Sequence, residues 1–254
     1  MEIERHLWIK EIINMAGNKF STRSTLKEIM DDLELSGTTV DQTLKELDSI
    51  NKWLGGNQVT LMGLEKLLRN NSQPELHIVD LGCGSGDMLK LVADWARKRG
   101  VRLKLTGVDV NAYIIGHARK NAHSYPEIEF QVANILDESF QQQQFDVIIS
   151  TLFTHHFDNQ QLRGLIKAWR KQTRLGIVIN DLHRHWLAYY SITAITRLLS
   201  KSSMVKNDGP ISVLRGFRKA DWEQLMEQCG VDNYSLCWRW AFRWLLVVPG
   251  RQNQ

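Results

Sequence analysis

The chain has 254 residues, of which 43% are hydrophobic and 24% charged, with a formal net charge of +4. That length and apolar content fill the core of one ordinary domain plus a small appended unit, and so slight a charge does not mark a nucleic-acid binder. The three cysteines, Cys83, Cys229 and Cys237, include no CxxC pair and support neither a disulfide framework nor a zinc site. The opening MEIERHLWIKEI is charged throughout and lacks the apolar centre of a secretory signal. The longest apolar run outside the strands, 186–195, is too short to span a bilayer, so a cytoplasmic protein is expected.

Residues 1–72 are expected to form an N-terminal helical unit. Apolar residues recur three and four apart over 6–16, 24–37 and 38–54. Ser24 or Thr25 is expected to cap the second helix, with Glu28 completing a capping box. Gly37 is expected to end it, and Thr38 or Thr39 to cap the third. LGGNQVT at 54–60 interrupts the pattern, LMGLEKLLRN at 61–70 resumes it, and NNSQPE at 70–75 reads as a linker.

From residue 73 to 254 the rhythm changes. LHIVDLG, RLKLTGVDV, IEFQVANIL, FDVIISTLF and GIVINDL read as strands, and DMLKLVADWARKRG, NAYIIGHARKNA and NQQLRGLIKAWRKQT as the helices between them. This alternation predicts an α/β fold of βαβ units with a parallel sheet and right-handed crossovers. Residues 183–219 break it. HWLAYYSITAITRLLSK predicts a helix leading to a Gly-Pro loop at 209–210. KADWEQLMEQCG predicts a helix ending at Gly230, and YSLCWRWAF and RWLLVVP predict an antiparallel pair of strands at one sheet edge.

The first strand runs through Asp80 into Gly82-Cys83-Gly84-Ser85-Gly86, and a helix starts at Asp87. Small residues let a ligand approach the backbone, and the helix start offers unpaired N–H groups. The second strand ends in Asp109, 23 residues beyond Gly86. A carboxylate at that strand tip can accept both hydroxyls of a ribose, so the pair reads as an adenosine site.

VDLGCGSG followed by GVDVN closely resembles the first two motifs of class I S-adenosylmethionine-dependent methyltransferases of the small-molecule, ubiquinone/menaquinone-like type. The resemblance implies a Rossmann-like, seven-stranded, mostly parallel sheet with helices on both faces, an N-terminal helical cap and a helical lid after the fifth strand. It assigns Asp80, Gly82, Cys83, Gly84, Ser85 and Gly86 to the methionine part of S-adenosylmethionine and Asp109 to the ribose. Val110 would flank the adenine, with Asn134 standing where the family often has an acid and Ile135 beside it also assigned to the cofactor. Ser150, Thr151 and Leu152 would sit beside the methyl donor. FDVIISTLFTHHF lacks the Asn-Pro-Pro-Tyr and Pro-Cys signatures of nucleic-acid enzymes and is more similar to enzymes acting on quinones, phenols and other small molecules.

His155 and His156 are adjacent and point different ways, so one is expected to act as base or binder. In IVINDLHRHWLAYY, Asp181 and His183 are expected to form an oriented general base. Arg184 is expected to hold an anionic or carbonyl group of the substrate, or to pair with an internal acid as a lid anchor. Trp186, Tyr189, Tyr190, Ile195 and Leu198 line an apolar pocket or pack a helix onto the sheet. No metal is expected. The implied reaction is methyl transfer, to oxygen by preference, on a small hydrophobic aromatic, phenolic or polyketide-like acceptor, leaving S-adenosylhomocysteine. C-methylation of a quinol is the alternative. An RNA or protein methyltransferase and a non-catalytic donor-binding module stay open from the residues. The basic residues of 197–219 read as a solvated face, with contact to a membrane surface or carrier protein as the lesser alternative, in a monomer or homodimer.

Overall fold

The computed structural model describes residues 19–69, 71 and 73–250. Seven strands are present: β1 (Glu75–Leu81), β2 (Arg102–Asp109), β3 (Ile128–Val132), β4 (Phe145–Thr151), β5 (Thr173–Leu182), β6 (Ser235–Arg239) and β7 (Arg243–Pro249). They form one sheet in the order β3-β2-β1-β4-β5-β7-β6. β7 runs antiparallel to both β5 and β6, and the other pairings are parallel. The helices are α1 (Thr38–Trp53), α2 (Gly56–Leu68), α3 (Asp87–Arg99), α4 (Ala112–Asn121), α5 (Glu138–Gln141), α6 (Asn159–Gln172), α7 (Trp186–Leu199), α8 (Ser203–Arg215) and α9 (Lys219–Gln228). None of the described helices is long and apolar enough to cross a membrane.

The central strands are apolar on both faces because both are covered. Side chains alternate along a strand, so Ile148, Ile177 and Ile179 join one core with Leu162, Ile166 and Trp169 of α6 and Trp222 of α9. Val147, Ile149 and Val178 join the other, with Val59 and Leu64 of α2 and Leu89 and Val92 of α3. α2 lies close on the sheet at Gly63, where an added Cβ would overlap Val178 and come 2.9 Å from Leu245. Gly63→Val is therefore expected to cost about 1–3 kcal/mol through overpacking. An unchanged melting temperature would show that α2 can lift off without penalty.

Strand order reverses beside β1, between β2 on one side and β4 on the other. That switch point opens a crevice at the carboxyl ends of the strands.

Several expectations are corrected. Residues 24–37 form no helix beyond one 3₁₀ turn, Ile29–Asp31. Asp208 takes the N–H groups of Ile29 (2.8 Å) and Met30 (3.0 Å), the Asp32 carboxylate takes that of Glu34, and the Ser24 hydroxyl takes that of Leu26. Short polar side chains thus compete with the helical ladder. α1 is capped by Gly37, with Thr38 and Thr39 already helical. α2 starts at Gly56, inside the expected interruption, because Gly55 in a left-handed conformation (φ 68°) restarts the helix. Gly209-Pro210 lies within α8 and forms no loop. The helix continues there because it packs on α7, with a Cβ at Gly209 falling 3.3–3.4 Å from Ile192 and Thr196. The helix expected over 6–16 lies outside the described residues, as does part of the 70–75 linker.

Candidate active site

The carboxyl ends of the strands open on a cavity of about 760 Å³, within the range of small-molecule sites. One end is the loop after β1. Gly82 and Cys83 donate their N–H groups to the carbonyl of Val108 (2.9 and 3.0 Å), which ties the loop to β2. Gly82 and Gly84 have φ of 70° and 50°. A Cβ at Gly82 would overlap the Phe153 ring, whereas one at Gly84 would meet only Leu44, at 3.9 Å. Glycine at 84 therefore keeps the cavity wall low. Ser85 is drawn into the start of α3, its hydroxyl donating to Asp87. Gly86 also takes positive φ.

Two acids face this end, and among the described residues neither forms an ion pair. Asp80 is buried, and its Oδ1 has no hydrogen-bond partner. Burial, reinforced by the nearby charge of Asp109, pushes its carboxyl well above the usual range. Burial also raises Asp109, against N–H bonds from Asn111 (3.0 Å) and Gly84 (3.4 Å). Val110, Asn134 and Ile135 line the same end. Asn134 spends its amide locally, donating to Asp137 (3.1 Å) and accepting from Leu136 N–H (3.0 Å). Thr151 lines the cavity and shares a hydrogen with Thr60 (2.8 Å). Ser150 is fully buried outside the lining, its hydroxyl unpartnered.

The other end is built over β5. Leu152 takes a positive φ of 55° and donates its N–H to the carbonyl of Asn180 (2.8 Å), turning the chain off the sheet. The 3₁₀ turn Thr154–His156 then falls on Asp181. The buried Asp181 carboxylate accepts from the Thr154 hydroxyl, His155 N–H (3.0 Å), His155 Nδ1 (2.7 Å) and Leu182 N–H (2.7 Å). Burial pushes this carboxyl up. The charge of His155 and these bonds outweigh it and hold the group well below the usual range. An ionised carboxylate only accepts, so Nδ1 donates to it, and the other ring nitrogen, Nε2, faces Glu28. His155 Nε2 lies 3.6 Å from Glu28 Oε1. His156 turns its Nδ1 to Asp31 (2.6 Å).

Glu28 is buried, with Oε2 accepting from Ser212 (2.8 Å) and Oε1 without a hydrogen bond. Burial pushes its carboxyl up to about 7 from 4.5. Folding therefore disfavours the charged form, and Glu28 subtracts stability as pH rises from about 4.5 to about 7. Glu28→Gln is expected to raise the melting temperature at pH 8 and leave it unchanged at pH 4.5. A shift of the same size at both would assign the effect to packing. One ligand atom each from Glu28, His155 and His156 lies within 4.8 Å of the others, and Arg215 already brings a positive charge there, 3.6 Å from Glu28 Oε1 and paired with Asp31.

Two expectations about β5 and α7 are corrected, and of the two readings of Arg184 the anchor paired with an internal acid is the one found. Asp181 and His183 do not pair, because the turn after β4 gives Asp181 to His155. His183 sits outside the cavity lining, accepts from Trp238 Nε1 (3.2 Å), and is pushed down to about 4 by burial, then by His185, Arg218 and Arg184. Arg184 is a buried anchor, bound to the carbonyls of Phe20 (2.9 Å), Gly216 (2.6 Å) and Ser21 (3.3 Å) and to Asp221 (2.9 Å). Trp186 and Tyr190 are 52% and 53% exposed and Tyr189 packs on Phe20. α7 faces the cavity instead with Ala188, Ser191, Ile192 and Ile195, one helical stripe; Leu198 is exposed.

Glu28, Asp31 and Arg243 are not legible as site residues in the sequence, since each reaches the cavity only through long-range packing. Arg23 and Arg215 fasten this wall. Arg23 binds the carbonyls of Arg215 (2.8 Å), His155 (3.1 Å) and Phe157 (2.9 Å). Arg215 binds those of His155 (3.1 Å) and His156 (2.7 Å).

Residues 78–176 match the family described as "Methyltransferase domain". The chain is 33% identical over 110 residues to the 2-phytyl-1,4-naphtoquinone methyltransferase of Nostoc sp., covering 42% of this chain and 46% of that protein. It is 29% identical over 131 residues to the citrinin polyketide synthase of Monascus ruber, covering 49% of this chain and 5% of the synthase. The chain thus spans under half the length of these relatives. The plantazolicin methyltransferase BpumL, solved in complex with SAH, superposes with a TM-score of 0.61 at 16% identity, over 84% of this chain and 89% of that one. The sheet order, the glycine loop at its switch point and the matched stretch agree: residues 78–176 match a methyltransferase domain, and the fold is that of the solved methyltransferase.

Proposed function

We propose that the protein transfers a methyl group from S-adenosylmethionine to an oxygen of a small, hydrophobic, aromatic or polyketide-like acceptor, with His155 as general base. The observation that carries this is the Asp181–His155 pair, which engages Nδ1 and leaves Nε2 as the ring's proton acceptor in the wall of a cavity whose other end is the glycine loop. In this reading residues 73–254 form the donor-binding domain, with 183–219 as its lid and 1–72 as a cap.

The donor end fits the group. Asp80 and Asp109 are acceptors without an ion pair among the described residues, and the ammonium and ribose hydroxyls of S-adenosylmethionine would supply donors to them. Gly84 leaves room for its sulfur-bearing chain. Bound there, S-adenosylmethionine supplies a methyl already activated on a sulfonium and leaves as S-adenosylhomocysteine. The protein then adds chiefly position. His155 Nε2 takes the acceptor's hydroxyl proton, and Asp181 holds the ring and stabilises the imidazolium that results. Phe153, Ile192 and Ile195 line the acceptor end and keep it apolar.

A second reading, methylation of a ring carbon of a quinol, draws on the similarity to a naphthoquinone methyltransferase. The same base would serve it. Calorimetric titration with S-adenosylmethionine, followed by incubation with phenols and quinols and mapping of the added methyl by NMR, tests both. A methyl on oxygen supports the first reading and a methyl on ring carbon the second. Absence of donor binding overturns both.

A further inference from the structure

Arg243, the first residue of β7, is 3% exposed and lines the cavity. Its Nη2 donates to Asn51 Oδ1 (2.9 Å), while Nε and Nη1 have no partner. Among the described residues it forms no ion pair. Burial lowers its pKa to about 10, with Asp181 opposing, so it stays charged at neutral pH. Its guanidinium lies flat on Gly56, where a Cβ would stand 2.6–2.8 Å from three of its atoms. Gly56 opens α2, whose cap, Gly55, gives the helix no side-chain acceptor. A buried guanidinium with two unpartnered nitrogens therefore lies against a helix amino end.

We infer that Arg243 and the amino end of α2 form an anion subsite for a carboxylate on the acceptor, which makes the substrate a small aromatic acid. This rests on the methyl-transfer reading above. Position assigns the anion to the acceptor. β7 stands three strands from β1 in the sheet, roughly 14 Å at about 4.8 Å per strand, whereas the donor-end acids sit on β1 and β2. The apolar remainder of the ligand faces Trp53, Leu54, Trp240 and Phe242.

The test is titration with benzoate, 1-naphthoate and their amides, with and without saturating S-adenosylhomocysteine. Wild-type protein is expected to bind the acids at least tenfold tighter than the amides. Arg243→Gln is expected to bring that ratio near one. So is Asn51→Asp, which keeps the arginine but gives it an internal carboxylate. S-adenosylmethionine affinity stays within twofold in both. No preference for acid over amide in the wild type, including no binding of either, overturns the inference. If Arg243→Gln weakens S-adenosylmethionine but not 5′-methylthioadenosine, which lacks the amino-acid carboxylate, the anion is the donor's and the acceptor subsite falls. Failure of wild-type protein to bind S-adenosylhomocysteine would instead sink the methyl-transfer reading, and the titration without it still decides the subsite. Both variants are checked by thermal melting, and Arg243→Met is expected to melt no lower than wild type, since it removes an unpaired buried charge. A lower melt would show the guanidinium already satisfied.

Discussion

Replacing His155 by glutamine is expected to lower kcat about 10²–10³-fold while the dissociation constant for S-adenosylmethionine stays within twofold. Glutamine can still donate to Asp181, so the turn over β5 keeps its anchor and the change falls on the proton acceptor. A parallel loss of donor affinity and melting temperature would assign His155 a structural role. Asp181→Asn removes the charge that holds the ring, and its activity should fall with a changed pH profile. The stability Asp181 lends has a definite window. Its folded pKa is depressed, so the contribution is complete above the ordinary carboxylate range and drains away as pH falls below it.

Asp109→Ala is expected to weaken S-adenosylmethionine binding about 10–100-fold, the size of a lost charge-assisted hydrogen-bond pair. The effect should depend on pH in the wild type. Asp80 and Asp109 are both raised by burial, so they hold protons more readily than free carboxyls, and a cationic donor draws those protons off. Affinity therefore rises with pH, and calorimetry in buffers of different ionisation heats should detect proton release on binding. Affinity flat with pH in the wild type, or unchanged in the variant, would place the ribose elsewhere.

The donor half was readable because its signals are local. Asp80 and the glycines lie on one strand and its turn, Asp109 ends the next strand, and short continuous apolar runs mark the central strands themselves. The acceptor half was not. Asp181 was assigned the histidine two residues away, but the one that binds it is 26 residues back, brought by the turn at Leu152. Asp31 and His156 are 125 positions apart, and Arg215 and Asp31 are 184. No periodicity reports such pairings. α7 misled for another reason. WLAYYSITAITRLL is apolar nearly all round, so its pattern does not say which face turns inward.

The carbonyl of His155 receives both Arg23 and Arg215, from 132 and 60 positions away. Contacts of such sequence separation bear the full entropy of loop closure before they return anything. The β1–β2 pairing joins residues only 27 positions apart, Glu75 with Arg102, and bears less of that cost. Loss of Arg23 or Arg215 is therefore expected to loosen the turn at His155 while leaving that pairing and its glycine turn in place.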